Sequence, residues 1–295
     1  MLRDNHIDVL IIGGVHGDEY SSSVVVYGLM KELEKYSDKI SIRYIPNANR
    51  SGGLKRKREC EDDKTNDLNR HTFDECANMR SVIKSLIEKS NLVIDVHNSP
   101  NCSNIFLGHT NVDYSSEFNL LKMKGLENKL VLLESAAISN ARYAKSLGKL
   151  AFTYEFKGMD LLTELQEYIN EAISDISKLV ESYIELSGDV DYIKRLHKIN
   201  KHSTNYNEDE HLYRIKYSPV DGFVIWGDTS ITKYHKGQII CAIAVKDTKN
   251  NGVFSSDNKP KFITISADED IEIIDFGLST VNVNSQLFGY KKIWM

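Results

Sequence analysis

The sequence predicts an α/β domain with a mainly parallel or mixed sheet flanked by helices, followed by a smaller all-β domain. Three observations carry this. Val9-Leu10-Ile11-Ile12 and Leu92-Val93-Ile94 are apolar on both faces, as strands inside a helix-covered parallel sheet must be. Strand-like and helix-like segments alternate over the first 186 residues or so. After Ser187 the segments become short, alternating and broken by Gly and Asn. The expected division is residues 1–188 for the α/β domain, 189–211 for a polar connector and 212–295 for the β domain.

Ile7 to Gly14 reads as the first strand and Tyr20 to Tyr36 as the first helix. Ile40 to Ile45 alternates and is β-branched, so it reads as a strand. Pro46 to Thr72 reads as a long polar loop, and loops of that length are usually functional or disordered. Asp74 to Lys89 reads as a helix with Asp74 as N-cap, and Leu92 to His97 as a central strand. Asn104 to Leu107 is expected to be a short strand, Ser115 to Leu126 a helix and Lys129 to Leu133 a strand. Leu150 to Phe156 then leads into a long amphipathic segment, Leu161 to Leu186. In the second domain Leu212–Tyr217, Gly222–Trp226, Ile239–Val245, Phe262–Ser266 and Asp270–Ile274 fit strands.

Composition narrows the function. A net charge of −5 over 295 residues argues against a general binder of nucleic acid or membrane surfaces. No apolar run is long enough to span a bilayer, and Met1 to His6 runs into the first strand without a signal-peptide pattern. Cys60, Cys76, Cys102 and Cys241 are scattered, which favours a reducing cytoplasm over a disulfide framework.

Gly13-Gly14-Val15-His16-Gly17-Asp18-Glu19 joins the first strand to the first helix. Ligands of open α/β sheets sit outside the carboxyl ends of the strands. A His and a Glu three residues apart on one turn can converge on one ion, and a second His follows a strand at Asp95-Val96-His97. Two His and one Glu form a known catalytic zinc set that leaves a position for water. Asn66-Asp67-Leu68-Asn69-Arg70 offers amide donors and a guanidinium fork suited to a carboxylate. The basic run Lys55-Arg56-Lys57-Arg58 is offset by Glu59, Glu61, Asp62 and Asp63. It reads as a mixed-charge loop with one Arg turned inward, where it could stabilise an oxyanion. Glu155, in Phe152-Thr153-Tyr154-Glu155, lies near the end of an apolar strand, where a carboxylate is costly unless paired or functional. Such a Glu can serve as general base and then proton donor. Glu134 stands equally well at a strand end, and residues alone do not separate the two.

Together these motifs resemble the zinc carboxypeptidase superfamily, and most closely its aspartoacylase and succinylglutamate desuccinylase family. The family's G-G-x-H-G-x-E is matched by Gly13 to Glu19, its D-L-N-R by Asp67 to Arg70, and its D-[LV]-H by Asp95 to His97. The Asn and small hydroxyl residue that follow are Asn98 and Ser99, and T-x-E is Thr153 to Glu155. Order and rough spacing agree over residues 7 to 190. Ser218 to Val224 and His235 to Ile240 resemble the β domain these deacylases append. The same segment resembles a biotinyl or lipoyl carrier, but Gly227-Asp228-Thr229-Ser230 has no Lys to modify.

The resemblance implies a hydrolase that removes an N-acyl group from a small carboxylate-bearing amino acid. It implies one zinc ion per chain, held by His16, Glu19 and His97, with Glu155 as the catalytic carboxylate. It also implies Arg58 (or Arg56) at the oxyanion, and Asn69, Arg70, Asn98 and Tyr290 on the substrate. A second substrate Arg has no clear match, Arg142 lying near. The appended domain is expected to narrow access to the site. Rival readings are a carboxypeptidase acting on short peptides and a non-catalytic metal-binding member of the fold. Neither nucleic acid nor membrane is an expected partner, and homo-oligomerisation is open.

Overall fold

A computed structural model describes residues 6–60, 67–70, 78–99, 103–109, 112–133, 138–158 and 162–187. Beyond these it describes the stretches 214–217, 222–226, 233–245, 262–268, 271–276, 280–281 and 286–292. The chain divides into two compact units, Met1–Tyr206 and Asn207–Met295.

The first unit carries β1 (Ile7–Ile12), α1 (Tyr20–Glu32), β2 (Ile42–Ile45), α2 (Arg50–Lys55), α3 (Asn78–Glu88) and β3 (Ser90–Ser99). It continues with β4 (Ile105–His109), α4 (Ser115–Lys122), β5 (Leu130–Leu133), α5 (Asn140–Ser146), β6 (Leu150–Lys157) and α6 (Leu162–Ser187). The six strands are ordered β2-β1-β3-β6-β4-β5. Neighbours are parallel except β4 and β6, which are antiparallel. The sheet is therefore mixed and flanked by helices. The carboxyl ends of β1, β3 and β6 share one edge.

Strand alternation sorts the chemistry. Val9 and Ile11 of β1, Leu92, Ile94 and Val96 of β3, and Phe152, Tyr154 and Phe156 of β6 face one way. They form one core with Val25, Val26 and Leu29 of α1, with α4, and with Ile176, Leu179 and Tyr183 of α6. Leu10 and Ile12 of β1, Val93 of β3 and Ala151 of β6 face the other way. They pack with Ile83 and Ile87 of α3 and Ala141 and Ala144 of α5. Continuing that second face along β3 and β6 brings Asp95 opposite Thr153 and His97 opposite Glu155.

Two helices were not expected. Asn49 Oδ1 caps α2 by accepting from Gly52 N at 2.8 Å, so part of the long loop is helical despite its glycines. Arg56, at the C-cap with φ 53°, ends it in the left-handed region. Helix α5 was not expected. Ser139 Oγ caps it by accepting from Arg142 N. Its Lys145 reaches the fully buried Glu117 of α4 at 2.6 Å, and Glu117 also accepts from Ala151 N of β6 at 3.2 Å. That buried pair ties α4, α5 and β6 together. The first helix ends at Glu32, with Glu34–Tyr36 in a 3₁₀ turn. Asp74, Leu161 and Glu134 lie outside the described residues, as does the Gly227–Ser230 turn.

The second unit carries β7 (Arg214–Tyr217), β8 (Gly222–Trp226), β9 (Lys233–Tyr234), β10 (Ile239–Val245), β11 (Phe262–Ser266), β12 (Ile271–Phe276), β13 (Thr280–Val281) and β14 (Gln286–Lys292). They form two four-stranded sheets, β11-β10-β8-β13 and β7-β14-β12-β9. All their described pairings are antiparallel. Three of these strands, β9, β13 and β14, were not expected, because two are only two residues long and β14 carries a Gly and two Lys. No helix among the described residues is long and apolar enough to cross a membrane.

Candidate active site

The turn after β1 is shaped by two glycines. Gly14 has φ 61°, and a Cβ there would lie 2.6 Å from Ser23 Oγ. Left-handed backbone favours Gly. Gly17 faces α2 so closely that a Cβ would sit 2.2 Å from Gly52 C and 2.3 Å from Lys57 O. Gly17 N also donates to Arg58 O, and Asn49 Nδ2 donates to the same carbonyl at 3.0 Å. The close approach delivers Arg58 to the turn. Glu19 is the N-cap residue of α1 but makes no side-chain cap; its carboxylate is turned into the site instead.

There it bridges two imidazoles. Glu19 Oε1 lies 2.6 Å from His16 Nδ1, and Oε2 lies 2.8 Å from His97 Nδ1. The two rings are tilted at 54°, with centroids 4.8 Å apart. Ligand atoms of His16, Glu19 and His97 all fall within 4.8 Å of one another. Arg58 Nη1 donates to Glu19 Oε1 at 3.0 Å, although its side chain, like that of Arg56, is exposed. His97 sits within β3, two residues before its end, not at its last position.

Each imidazole has its far nitrogen held by a carboxylate. His16 Nε2 lies 3.2 Å from Asp67 Oδ1, and His97 Nε2 lies 3.0 Å from Asp95 Oδ2. Carboxylates behind His ligands set ring orientation and tautomer at metal sites. With both Nε2 atoms engaged, both Nδ1 atoms face the Glu19 carboxylate. This donor set, two neutral-capable imidazoles and a carboxylate converging on one point, fits a metal ion.

Electrostatics agree. Burial opposes charge on both rings, yet the surrounding carboxylates outweigh it. Asp67 and Glu19 raise the pKa of His16, and Asp95 and Glu19 raise that of His97 well above the usual value. Burial alone would raise Glu19, but His97 and His16 hold it far below the carboxylate range. Glu155 differs: burial pushes its carboxyl up to about 7, against the pull of His97.

A cavity of about 560 Å³ opens over these groups, within the range of small-molecule pockets. Asn69, Arg70, Asn98 and Glu155 line it. Leu107, His109, Leu133 and Ser139 line it as well. Asn69 accepts from Asn140 N through Oδ1 at 2.8 Å. Its Nδ2 lies 3.5 Å from His97 Nε2. Arg70 Nη1 donates to Asn69 O. Asn98 N donates to Glu19 Oε2 at 3.3 Å, while its side-chain oxygen accepts from Ser22 N at 3.2 Å. That oxygen is therefore engaged in holding the first helix to β3. Tyr290 lies on β14, in the second unit. Residues not singled out from sequence also join the site. Asn140 is one. Arg80, buried on α3, donates to Asp67 O at 2.7 Å. His109, with Nε2 3.0 Å from Ser139 Oγ, is another. None carries a local pattern; each partner is 13 or more residues away.

Comparison with known proteins gives a consistent picture. Residues 5–186 match the model of the succinylglutamate desuccinylase/aspartoacylase catalytic domain. No curated protein matches the sequence. The fold is shared with an aspartoacylase family protein from Mesorhizobium loti (15% identity, 99% of this chain and 87% of that one, TM-score 0.65). It is shared with a succinylglutamate desuccinylase from Silicibacter (14% identity, 96% and 85%, TM-score 0.60). A mutant of murine aminoacylase 3 also shares it (15% identity, 99% and 96%, TM-score 0.53).

Proposed function

The chain belongs to the succinylglutamate desuccinylase/aspartoacylase family, and from that premise we propose that it is a zinc-dependent amidohydrolase that removes an N-acyl group from a small carboxylate-bearing amino acid. The observation that carries the proposal is the convergence of His16, Glu19 and His97, with Glu155 beside His97 on the neighbouring strand. Zinc held by the two Nδ1 atoms and Glu19 would supply a Lewis acid that polarises the scissile carbonyl and makes water nucleophilic near neutral pH. Glu155 takes a proton from the attacking water and hands it to the leaving amine. A carboxyl pushed up to about 7 by burial suits both transfers. Arg58, whose Nη1 already reaches Glu19, stabilises the oxyanion. Asn69 and Arg70 grip the substrate carboxylate, and Asn98 keeps Glu19 in place through its N–H. Tyr290 is assigned to the substrate by the same family pattern. Residues 1–188 form the catalytic domain and 212–295 the appended β domain. The scattered cysteines place the chain in a reducing cytoplasm.

The test is turnover of N-acetyl-aspartate, N-succinyl-glutamate and a blocked dipeptide, before and after zinc removal by a chelator and after zinc is restored. The proposal expects hydrolysis of an N-acyl amino acid that vanishes with the metal and returns with it. Turnover that survives the chelator would end it. Preference for the dipeptide would move the chain to the exopeptidase reading.

A further inference from the structure

We propose that Asn140, at the first turn of α5, is a positioning residue that sets both halves of the active site at once. The inference rests on the zinc-hydrolase reading above. Asn140 is fully buried and contacts the site through two separate arms. Its side-chain Nδ2 donates to Asp95 Oδ2 at 2.9 Å, the same oxygen that faces His97 Nε2. Its backbone N–H donates to Asn69 Oδ1 at 2.8 Å.

Each arm has a consequence. Asp95 is fully buried, and its Oδ1 has no hydrogen-bond partner among the described residues. The carboxylate is thus held through Oδ2 alone, by His97 and Asn140. Removing the Asn140 amide leaves it free to rotate about its bond to His97, and the ring it orients loses its fixed aim at Glu19. The second arm decides which way the Asn69 amide faces. An amide has one acceptor oxygen and one donor nitrogen. With Oδ1 claimed by Asn140, Nδ2 is turned toward His97 and the cavity, which is the end that can donate to a substrate carboxylate. One residue therefore couples the aim of a metal ligand to the polarity of the substrate grip.

The two arms can be cut separately. Asn140→Ala removes the side-chain arm and keeps the N–H. Asn140→Pro removes both. Proline is tolerated at the first helical position, and Ser139 before it is extended at φ −71°, ψ 170°, as a residue preceding proline must be. Zinc affinity is read by competition with a chromophoric chelator, with no substrate present. Both variants are expected to bind zinc roughly 10-fold more weakly, the lower end of the cost of losing a direct partner of a ligand, because Asn140 acts on His97 through Asp95. KM for the substrate turned over in the panel above is expected to rise only in Asn140→Pro, with kcat lowered alike in both. Asn140→Leu, which keeps the volume without the donor, should repeat the alanine result. Wild-type zinc affinity in Asn140→Ala and Asn140→Leu overturns the proposal, as does equal KM in the Ala and Pro variants. Loss of fold in all three, seen by circular dichroism, makes Asn140 a folding residue and overturns it too. Failure of the zinc-hydrolase reading is distinguishable, because the wild-type chain itself would then bind no zinc.

Discussion

The two faces of the six-stranded sheet use the same strands for opposite ends. On one face β3 shows Leu92, Ile94 and Val96, and β6 shows Phe152, Tyr154 and Phe156, all sealed under α1, α4 and α6. On the other face the same strands show Asp95, His97, Thr153 and Glu155. The difference lies in how far the helices reach. Helices α3 and α5 cover Val93 and Ala151, and beyond them the face opens to the cavity. One face supplies the rigidity, and the other spends it on holding charged groups where none would stay without partners. Period-two alternation lets stability and chemistry sit one residue apart.

That division can be broken first at β6. Glu155→Gln is expected to lower kcat by roughly 10⁴-fold, the upper range for a general acid–base group. Thermal unfolding and zinc affinity should hardly move. A variant that keeps wild-type turnover would show that the chemistry face does not use Glu155.

A position of the same strand on the opposite face should behave in the opposite way. Phe152→Ala leaves a hole among Phe106, Tyr154 and α6, and is expected to cost about 4 kcal/mol of stability. Urea unfolding measures that loss, and kcat per folded molecule should stay within a few-fold of the parent. A large fall in kcat with intact stability would erase the distinction between the faces.

Arg58 sharpens the comparison, because it reaches the chemistry face from outside the sheet. Arg58→Ala is expected to lower kcat by about 10²-fold, close to 3 kcal/mol of transition-state stabilisation. Arg56→Ala should change little, since of the two arginines it is Arg58 that lines the cavity and reaches Glu19. Equal effects from the two would place the wrong arginine in the site.

The smallest expected effect concerns His109, at the apolar end of the cavity. Burial, reinforced by Arg142, lowers its pKa to about 4, below the unfolded value near 6.5. The unfolded chain then binds more protons than the folded one between those pH values. This histidine's contribution is present above about 6.5 and is lost as pH falls toward 4. Between pH 7 and pH 5 the loss comes to about 2 kcal/mol. Urea midpoints at both pH values should show a shallower acid loss in His109→Phe than in the parent. Identical slopes would mean that His109 charges freely.

Much of this site was legible because its signals are local. Gly13 to Glu19 places a His and a Glu on one turn, and Asp95-Val96-His97 carries an orienting carboxylate two residues before its imidazole. Asp67 to Arg70 is contiguous in the same way. The pairing of His97 with Glu155 was not legible, since β4 and β5 intervene in the chain while β6 lies beside β3 in space. Helix α2 was hidden by its two glycines, one of which, Gly52, leaves no room for a Cβ beside Asn49 and Glu59 O. Helix α5 was hidden by its length of seven residues, too short for a helical period to show. Asn140 and Arg80 were invisible for the same reason: ordinary polar side chains gain a role only from what folding puts next to them.

The sequence by itself determined the strand–turn–helix unit that carries His16 and Glu19, the alternation along β3 and β6, and the family. These depend on residue type and on neighbours within a few positions, which backbone sterics and side-chain periodicity settle locally. Tertiary structure alone decided that His97 and Glu155 stand side by side, that Arg58 rather than Arg56 meets Glu19, and that Asn140 joins Asp95 to Asn69. Those contacts span tens of residues. They exist only because burying the apolar face of the sheet fixes which strands are neighbours and in what register.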